Sequence, residues 1–249
     1  MNSTIVIAHN EFRRLFVSPF AWIILATVQF LLAIFFYLLL SKFMDSGAWG
    51  AGRGLTGIVA VGLLQIAAIV ILLISPFITM RLFSDELRSG TIKLLLSSPV
   101  SITELVVGKY LGAMAFYLIL LALVALMPLS LMTGTSLDPG LMASGLLGLI
   151  LLSSAFASIG LFISSLNRSP ALAAVSTSVF TFLLWIIHIA NDSGNAIIEA
   201  IANYLSLQKH FNSLLSGAFN STDVIYYLLV TVLFVVLCIW RMDAIRTHQ

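Results

Sequence analysis

Six apolar runs, each about twenty residues long, leave this chain little choice of fold. They span roughly Phe20–Leu40, Gly57–Thr79, Tyr110–Met132, Leu141–Ile163, Ala171–Ala190 and Val224–Trp240. A helix rising about 1.5 Å per residue needs about twenty residues to cross a hydrocarbon core of about 30 Å. The runs show no strand-like alternation, and a barrel strand needs only about 9–11 residues. Charged residues make up 9% of the 249, against about 25% in ordinary soluble domains, so a water-facing surface cannot be built from them. The sequence predicts an all-α polytopic membrane protein in one transmembrane domain, residues 1–249. The first run exceeds the roughly 7–15 residues of a signal-peptide core and is followed by Ser41-Lys42-Phe43, so it reads as a span and not a cleaved leader. The single Cys238 lies in an apolar run and excludes a disulfide framework within the chain.

The basic residues set the expected orientation. Six spans put both termini on one side, together with Arg13, Arg14, Arg81, Arg88, Lys93, Lys109, Arg168, Arg241 and Arg246. The opposite side holds only Lys42, Arg53 and Lys209. That imbalance predicts cytoplasmic termini. The net charge of +2 gives no sign of a nucleic-acid partner.

Catalytic patterns are missing. No H-E-x-x-H, no G-x-S-x-G and no metal-ligand spacing among His9, His188, His210 and His248 is present. Gly108-Lys109 is followed by Tyr110, and no glycine sits five positions before Gly108, so no phosphate-binding P-loop exists. ATP-driven work would need another subunit, and no cofactor is expected in this chain. Charges are absent from the middle of every run, which argues against a proton or ion pathway. Gln29, Gln65 and His188 are the notable polar residues within the runs. Gln65 reads as a hydrogen-bonding tie between helices in preference to a substrate ligand. Small residues such as Ser153, Ser154, Ala155, Ala157, Ser158 and Gly160 permit close helix packing, within one chain or between two.

Two segments outside the runs have helical periodicity. Ile5, Ala8, Phe12, Leu15 and Phe16 recur at three- and four-residue steps, with Pro19 as the breaker, which predicts an amphipathic helix lying in the membrane interface. A frayed tail is the alternative. The extracytoplasmic segment 191–223 carries a second stripe, Ile197, Ile198, Ile201, Ala202 and Leu205, which either dips into the membrane or forms a plain surface helix.

One polar island, residues 80–109, concentrates Arg81, Asp85, Glu86, Arg88, Lys93, Glu104 and Lys109 between the second and third runs. Asp85 and Glu86 suit a helix N-terminus, and Gly90 suits its end. Ser101-x-x-Glu104 is a capping box for the next helix.

The island resembles the cytoplasmic loop of the permease subunits of type 2 ABC transporters. The matching positions are Glu86, Gly90, Thr91, Ile92, Leu95, Leu96, Ser98, Pro99 and Val100, then Gly108-Lys109; position 87 is Leu where the family often has a basic residue. The stretch Tyr204-Leu205-Ser206-Leu207, His210-Phe211, Gly217 and Asp223 to Tyr227 is similar to the subgroup of gliding-motility permeases and the permease for nitrous-oxide-reductase maturation. The resemblance implies an N-terminal elbow helix (1–19), six spans, and a coupling helix in the island that docks into a separate cytoplasmic ABC ATPase. It implies Asp85, Glu86, Arg88, Gly90 and Thr91 at that contact, with Glu11, Phe12 and Arg14 of the elbow beside them. It further implies a second permease copy, identical or related, an accessory extracytoplasmic subunit, surrounding membrane lipid, a bacterial inner-membrane location, and export driven by ATP bound in the partner. A membrane scaffold or mechanotransmitter driven by the same kind of ATPase is the competing expectation.

Overall fold

The computed structural model describes residues 3–45, 56–92, 100–131, 137–187, 202–217 and 219–247. Nine α-helices occur among them: α1 Ser3–Val17, α2 Pro19–Asp45, α3 Val61–Thr79, α4 Ser84–Ser89, α5 Ile102–Ser130, α6 Pro139–Leu166, α7 Pro170–Ile186, α8 Leu207–Leu215 and α9 Ser221–Thr247. A π-helical turn, Thr56–Ala60, leads into α3. No strand is present among the described residues.

Five of these helical stretches are long and apolar enough to cross a membrane. Six were expected. The remaining apolar helix, α7, has 17 residues, and the end of that run, 188–190, lies outside the described residues.

Helix α6 is the hub, packing on α3, α5, α7, α8 and α9. Residues 152–161 are buried without a break, so this helix has no outward face for more than two turns. Its serines, alanines and Gly160 make that crowding feasible, and a Cβ on Gly160 would land on Thr79 of α3. Small-residue packing inside one chain is therefore what these positions do. By contrast, α2 buries the stripe Ala21, Ile24, Leu25, Val28 and Leu32 at helical spacing, with Phe43 near its end, and leaves much of its remaining apolar surface exposed.

Polar groups in the bundle are tied off locally. Pro76 inside α3 cannot donate to Leu72 O, and the Ser75 hydroxyl donates to that carbonyl instead at 3.3 Å. Tyr110, Ser154 and Thr231 form a hydroxyl chain (2.6 and 3.0 Å) across α5, α6 and α9. Gln29 Nε2 donates to Leu123 O at 3.2 Å, tying α2 to α5. The expected tie at Gln65 is not seen among the described residues. That side chain is exposed on the outer face of α3.

At the end of the bundle away from α1, the Tyr204–Tyr227 stretch becomes a clasp. Ser206 caps α8 by accepting from Lys209 N at 3.2 Å. Tyr226 and Tyr227 donate to Leu205 O and Leu207 O at 2.8 and 2.7 Å. His210 pairs with Asp223 at 2.6 Å and stacks on Tyr226. Ser144 of α6 donates to Leu214 O at 2.6 Å. The apolar face of α8 (Leu207, Phe211, Leu214, Leu215) is buried in the main core. Ile197, Ile198 and Ile201 lie outside the described residues, as do His188 and His248.

Candidate functional site

The polar island starts as a tight turn and a short helix. Helix α4 has Asp85 and Glu86 in its first turn and ends at Gly90, whose φ of 75° is the left-handed conformation that glycine adopts without strain. The capping box forms as expected: Glu104 N donates to Ser101 Oγ at 3.2 Å and Ser101 N to Glu104 Oε2 at 3.0 Å. The Ser101 groups that bond Glu104 hold its exposed carboxyl below the ordinary value. Residues 93–99, which include the leucine run and Ser98-Pro99, lie outside the described residues.

The inner side of this segment is clamped. Leu82, Phe83 and Ile92 are buried with Leu105 and Val106 of α5, Leu161 of α6, and Cys238 and Met242 of α9. Leu87 and Ile7 of α1 pack against the same cluster, so an apolar residue at position 87 faces a socket. The Ser164 hydroxyl of α6 accepts from Phe83 N and Ser84 N (3.0 and 3.1 Å) and donates to Met80 O at 3.0 Å. One side chain thus satisfies three backbone groups of the turn, two of them buried donors with no helical partner.

The charged part of the clamp is a buried ion cluster. Lys109 is 1% exposed, and its Nζ lies 2.5 Å from Glu11 Oε1 and 2.6 Å from Glu86 Oε1. It also sits 5.1 Å from the centre of the Phe83 ring. Arg14 stands outside the pair, 3.6 Å from Glu11 and 3.9 Å from Glu86, and donates to Arg81 O at 3.0 Å. The cluster joins α1, α4 and α5. Burial pushes the Glu86 carboxyl above its ordinary value and outweighs the pull of Lys109.

Glycines make the cluster geometrically feasible. A Cβ on Gly108 would lie 2.8 Å from Ile7, and one on Gly112 would lie 2.7 Å from the Cβ of Glu11. The Gly108-x-x-x-Gly112 groove on α5 therefore lets the backbone of α1 descend until Glu11 reaches Lys109. Helix α1 lies along α5, with Glu11 buried and Ile5 60% exposed.

Two of the expected contact residues are engaged within the chain. Glu11 is buried and Glu86 half-buried, and Lys109 holds one oxygen of each carboxylate, while Glu86 still lines a cleft on the outer side. Phe12 is half-buried and packs on Phe16 with ring centres 4.7 Å apart. The residues turned outward are Arg88, Gly90, Thr91 and Arg14, with Asp85 half-buried. Arg14, Asp85, Arg88 and Thr91, together with Glu86 and Ser89, border this open cleft of about 470 Å³. The sequence reading named Lys109 without giving it a contact, and it missed Ser164 and Gly112. A G-x-x-x-G pair enclosing one lysine at the edge of an apolar run was the available signal.

The arrangement offers no nucleophile–base pair and no cluster of metal-ligating side chains among the described residues. What it offers is a short helix, outward on one side and fastened to three long helices on the other. A search of curated proteins finds no match to the chain. A family model described as ABC-2 family transporter protein matches residues 5–244. With that match running from the first turns of α1 to the end of α9, the chain belongs to the ABC-2 transporter family, as a membrane permease component of an ABC transporter.

Proposed function

We propose that this chain is the transmembrane subunit of an ATP-driven exporter and that a separate cytoplasmic ABC ATPase drives it through α4. The observation that carries the reading is the two-sidedness of that helix. Its outer side presents Asp85, Arg88, Gly90 and Thr91 beside Arg14 of α1, all on the cleft or next to it. Its inner side is fixed to α1 and α5 through Lys109 and to α6 through Ser164. A stroke delivered to the outer side is passed to the hub helix and to the start of α5, because close-packed interiors transmit displacement and do not absorb it. In this reading Glu11 positions α1, which serves as the elbow, and Glu86 both positions α4 and lines the docking cleft.

Six spans with cytoplasmic termini in the bacterial inner membrane complete the topology, α7 providing the fifth. A second permease copy accounts for Gln65, since an exposed amide among apolar residues is better placed against another helix than against lipid. The clasp built from Tyr204 to Tyr227 supports the gliding-motility and nitrous-oxide-reductase-maturation subgroup.

Capture of an ATPase by the tagged full chain in mild detergent tests the reading. Gly90→Pro and Arg88→Glu should each abolish capture while the chain still elutes as a monodisperse species. Wild-type capture and wild-type ATP turnover in both variants would refute the docking role of α4. Vectorial movement of cargo in proteoliposomes separates transport from scaffolding.

A further inference from the structure

A cavity of about 260 Å³ opens where α1 turns into α2, beside the end of α3. Its walls include Ile24 of α2 and Phe77 and Ile78 of α3, and its mouth carries Arg81 and Asp85. Among the described residues neither of these two charges has an ion-pair partner. The Arg81 guanidinium lies 5.6 Å over the Phe20 ring, which holds it at the opening. Arg14, also at the mouth, is already engaged with Glu11, Glu86 and Arg81 O.

Exposed tryptophans mark the level of the cavity. Trp22 in the first turn of α2 and Trp240 near the end of α9 are 60% and 69% exposed, as in the aromatic belt at a membrane–water boundary. From the cavity wall, Phe77, Leu73 and Ile69 continue as an exposed stripe along α3. The volume falls below the roughly 300–1,000 Å³ of pockets that enclose a whole drug-sized ligand. It suits a headgroup whose chains lie outside, along that stripe.

We propose that this pocket holds a phospholipid with a primary-amine headgroup, its phosphate on Arg81, its ammonium on Asp85 and one acyl chain along Ile69, Leu73 and Phe77. A guanidinium is a strong phosphate ligand, and a cation and an anion that line one pocket without pairing with each other match a zwitterion. Phosphatidylcholine lacks an N–H to give Asp85, and phosphatidylglycerol brings no cation to it. The inference needs only a membrane-spanning chain and not the docking of an ATPase on α4, so loss of lipid retention in Arg81→Gln, at a residue outside the docking cleft, with intact ATPase capture separates the two.

The test uses the full chain, delipidated in mild detergent and titrated with phosphatidylethanolamine, phosphatidylcholine or phosphatidylglycerol of identical acyl chains. Native mass spectrometry reads the retained lipid. Phosphatidylethanolamine should be retained about ten-fold over the other two, and Arg81→Gln and Asp85→Asn should each lower its retention about ten-fold, with Arg241→Gln as an unaffected control. Equal retention of the three lipids, phosphatidylglycerol ahead with Asp85→Asn unaffected, or unchanged retention in both variants overturns the proposal. If a variant fails to elute as a monodisperse species, the wild-type order of the three lipids decides.

Discussion

Replacing Lys109 by methionine removes the only cation among the described residues within hydrogen-bonding distance of the Glu11 and Glu86 carboxylates. Methionine keeps the apolar stem, so the change isolates the charge. With Nζ gone, Glu11 and Glu86 keep oxygens within about 5 Å of each other, and two unit charges at that separation repel by about 3 kcal/mol at an effective dielectric of about 20. Breaking one partner out of a buried ion pair costs about 3–5 kcal/mol by the same logic. The expected fall in apparent Tm, read by intrinsic fluorescence in detergent, is about 6–20 °C. Glu86→Gln in the same background removes one of the two repelling charges and should restore at least half of the loss. In the wild type that substitution leaves Lys109 paired with Glu11 and should cost far less. The double-mutant cycle should therefore show coupling of about 1.5 kcal/mol or more. The pH dependence has a definite sign. The Glu86 carboxyl is raised in the folded chain, so the fold binds its proton more readily than the unfolded chain does. The Lys109→Met chain should accordingly regain stability as pH falls through the folded-state value toward the ordinary 4.5. A Tm within 2 °C of wild type (roughly the effect of less than 1 kcal/mol), or additivity with Glu86→Gln, would show that the cluster does not hold α1 and α4 in place.

Three further outcomes follow from the same geometry. Gly112→Val should lift α1 off α5, since even a Cβ meets Glu11 at 2.7 Å; a cysteine pair across the α1–α5 seam should then lose its cross-link. Ser164→Ala should cost about 1–3 kcal/mol by stranding the Phe83 and Ser84 amides, and hydrogen exchange at those amides should quicken while α8 stays protected. His210→Ala should loosen α8 by removing the bond to Asp223 and the stacking on Tyr226; a faster protease cut near Ser216, with no change in ATPase capture, is the expected reading.

Much of this molecule is legible from its residues because the bilayer leaves few options. Runs of twenty apolar residues announce helices, and Pro19, Gly90 and Ser101-x-x-Glu104 mark their ends through backbone chemistry that acts within a few positions. The ion cluster is another matter. Glu11 and Lys109 are 98 residues apart, and nothing local shows that they meet. A charged residue next to an apolar run reads as a boundary marker, and most such residues are; here the groove of Gly108 and Gly112 turns two of them into a buried pair. Gln29 and Gln65 illustrate the same limit. Both are amides in apolar helices, and only the third dimension tells which one has a carbonyl opposite.

The order of these residues along the chain has a consequence for synthesis. Both acids precede the lysine, Glu11 by 98 residues and Glu86 by 23. At about 5–20 residues per second, the first helix exists for roughly 5–20 s before its groove on α5 emerges. During that interval its exposed Ile5 and Val6 and its unpaired glutamate have no protein to face, and a membrane surface is the natural resting place for such a segment. When Lys109 reaches the bilayer edge, its two counter-charges have already been made. The buried cation therefore never enters the fold ahead of the groups that neutralise it, and a circular permutation that made α5 before α1 would reverse that order.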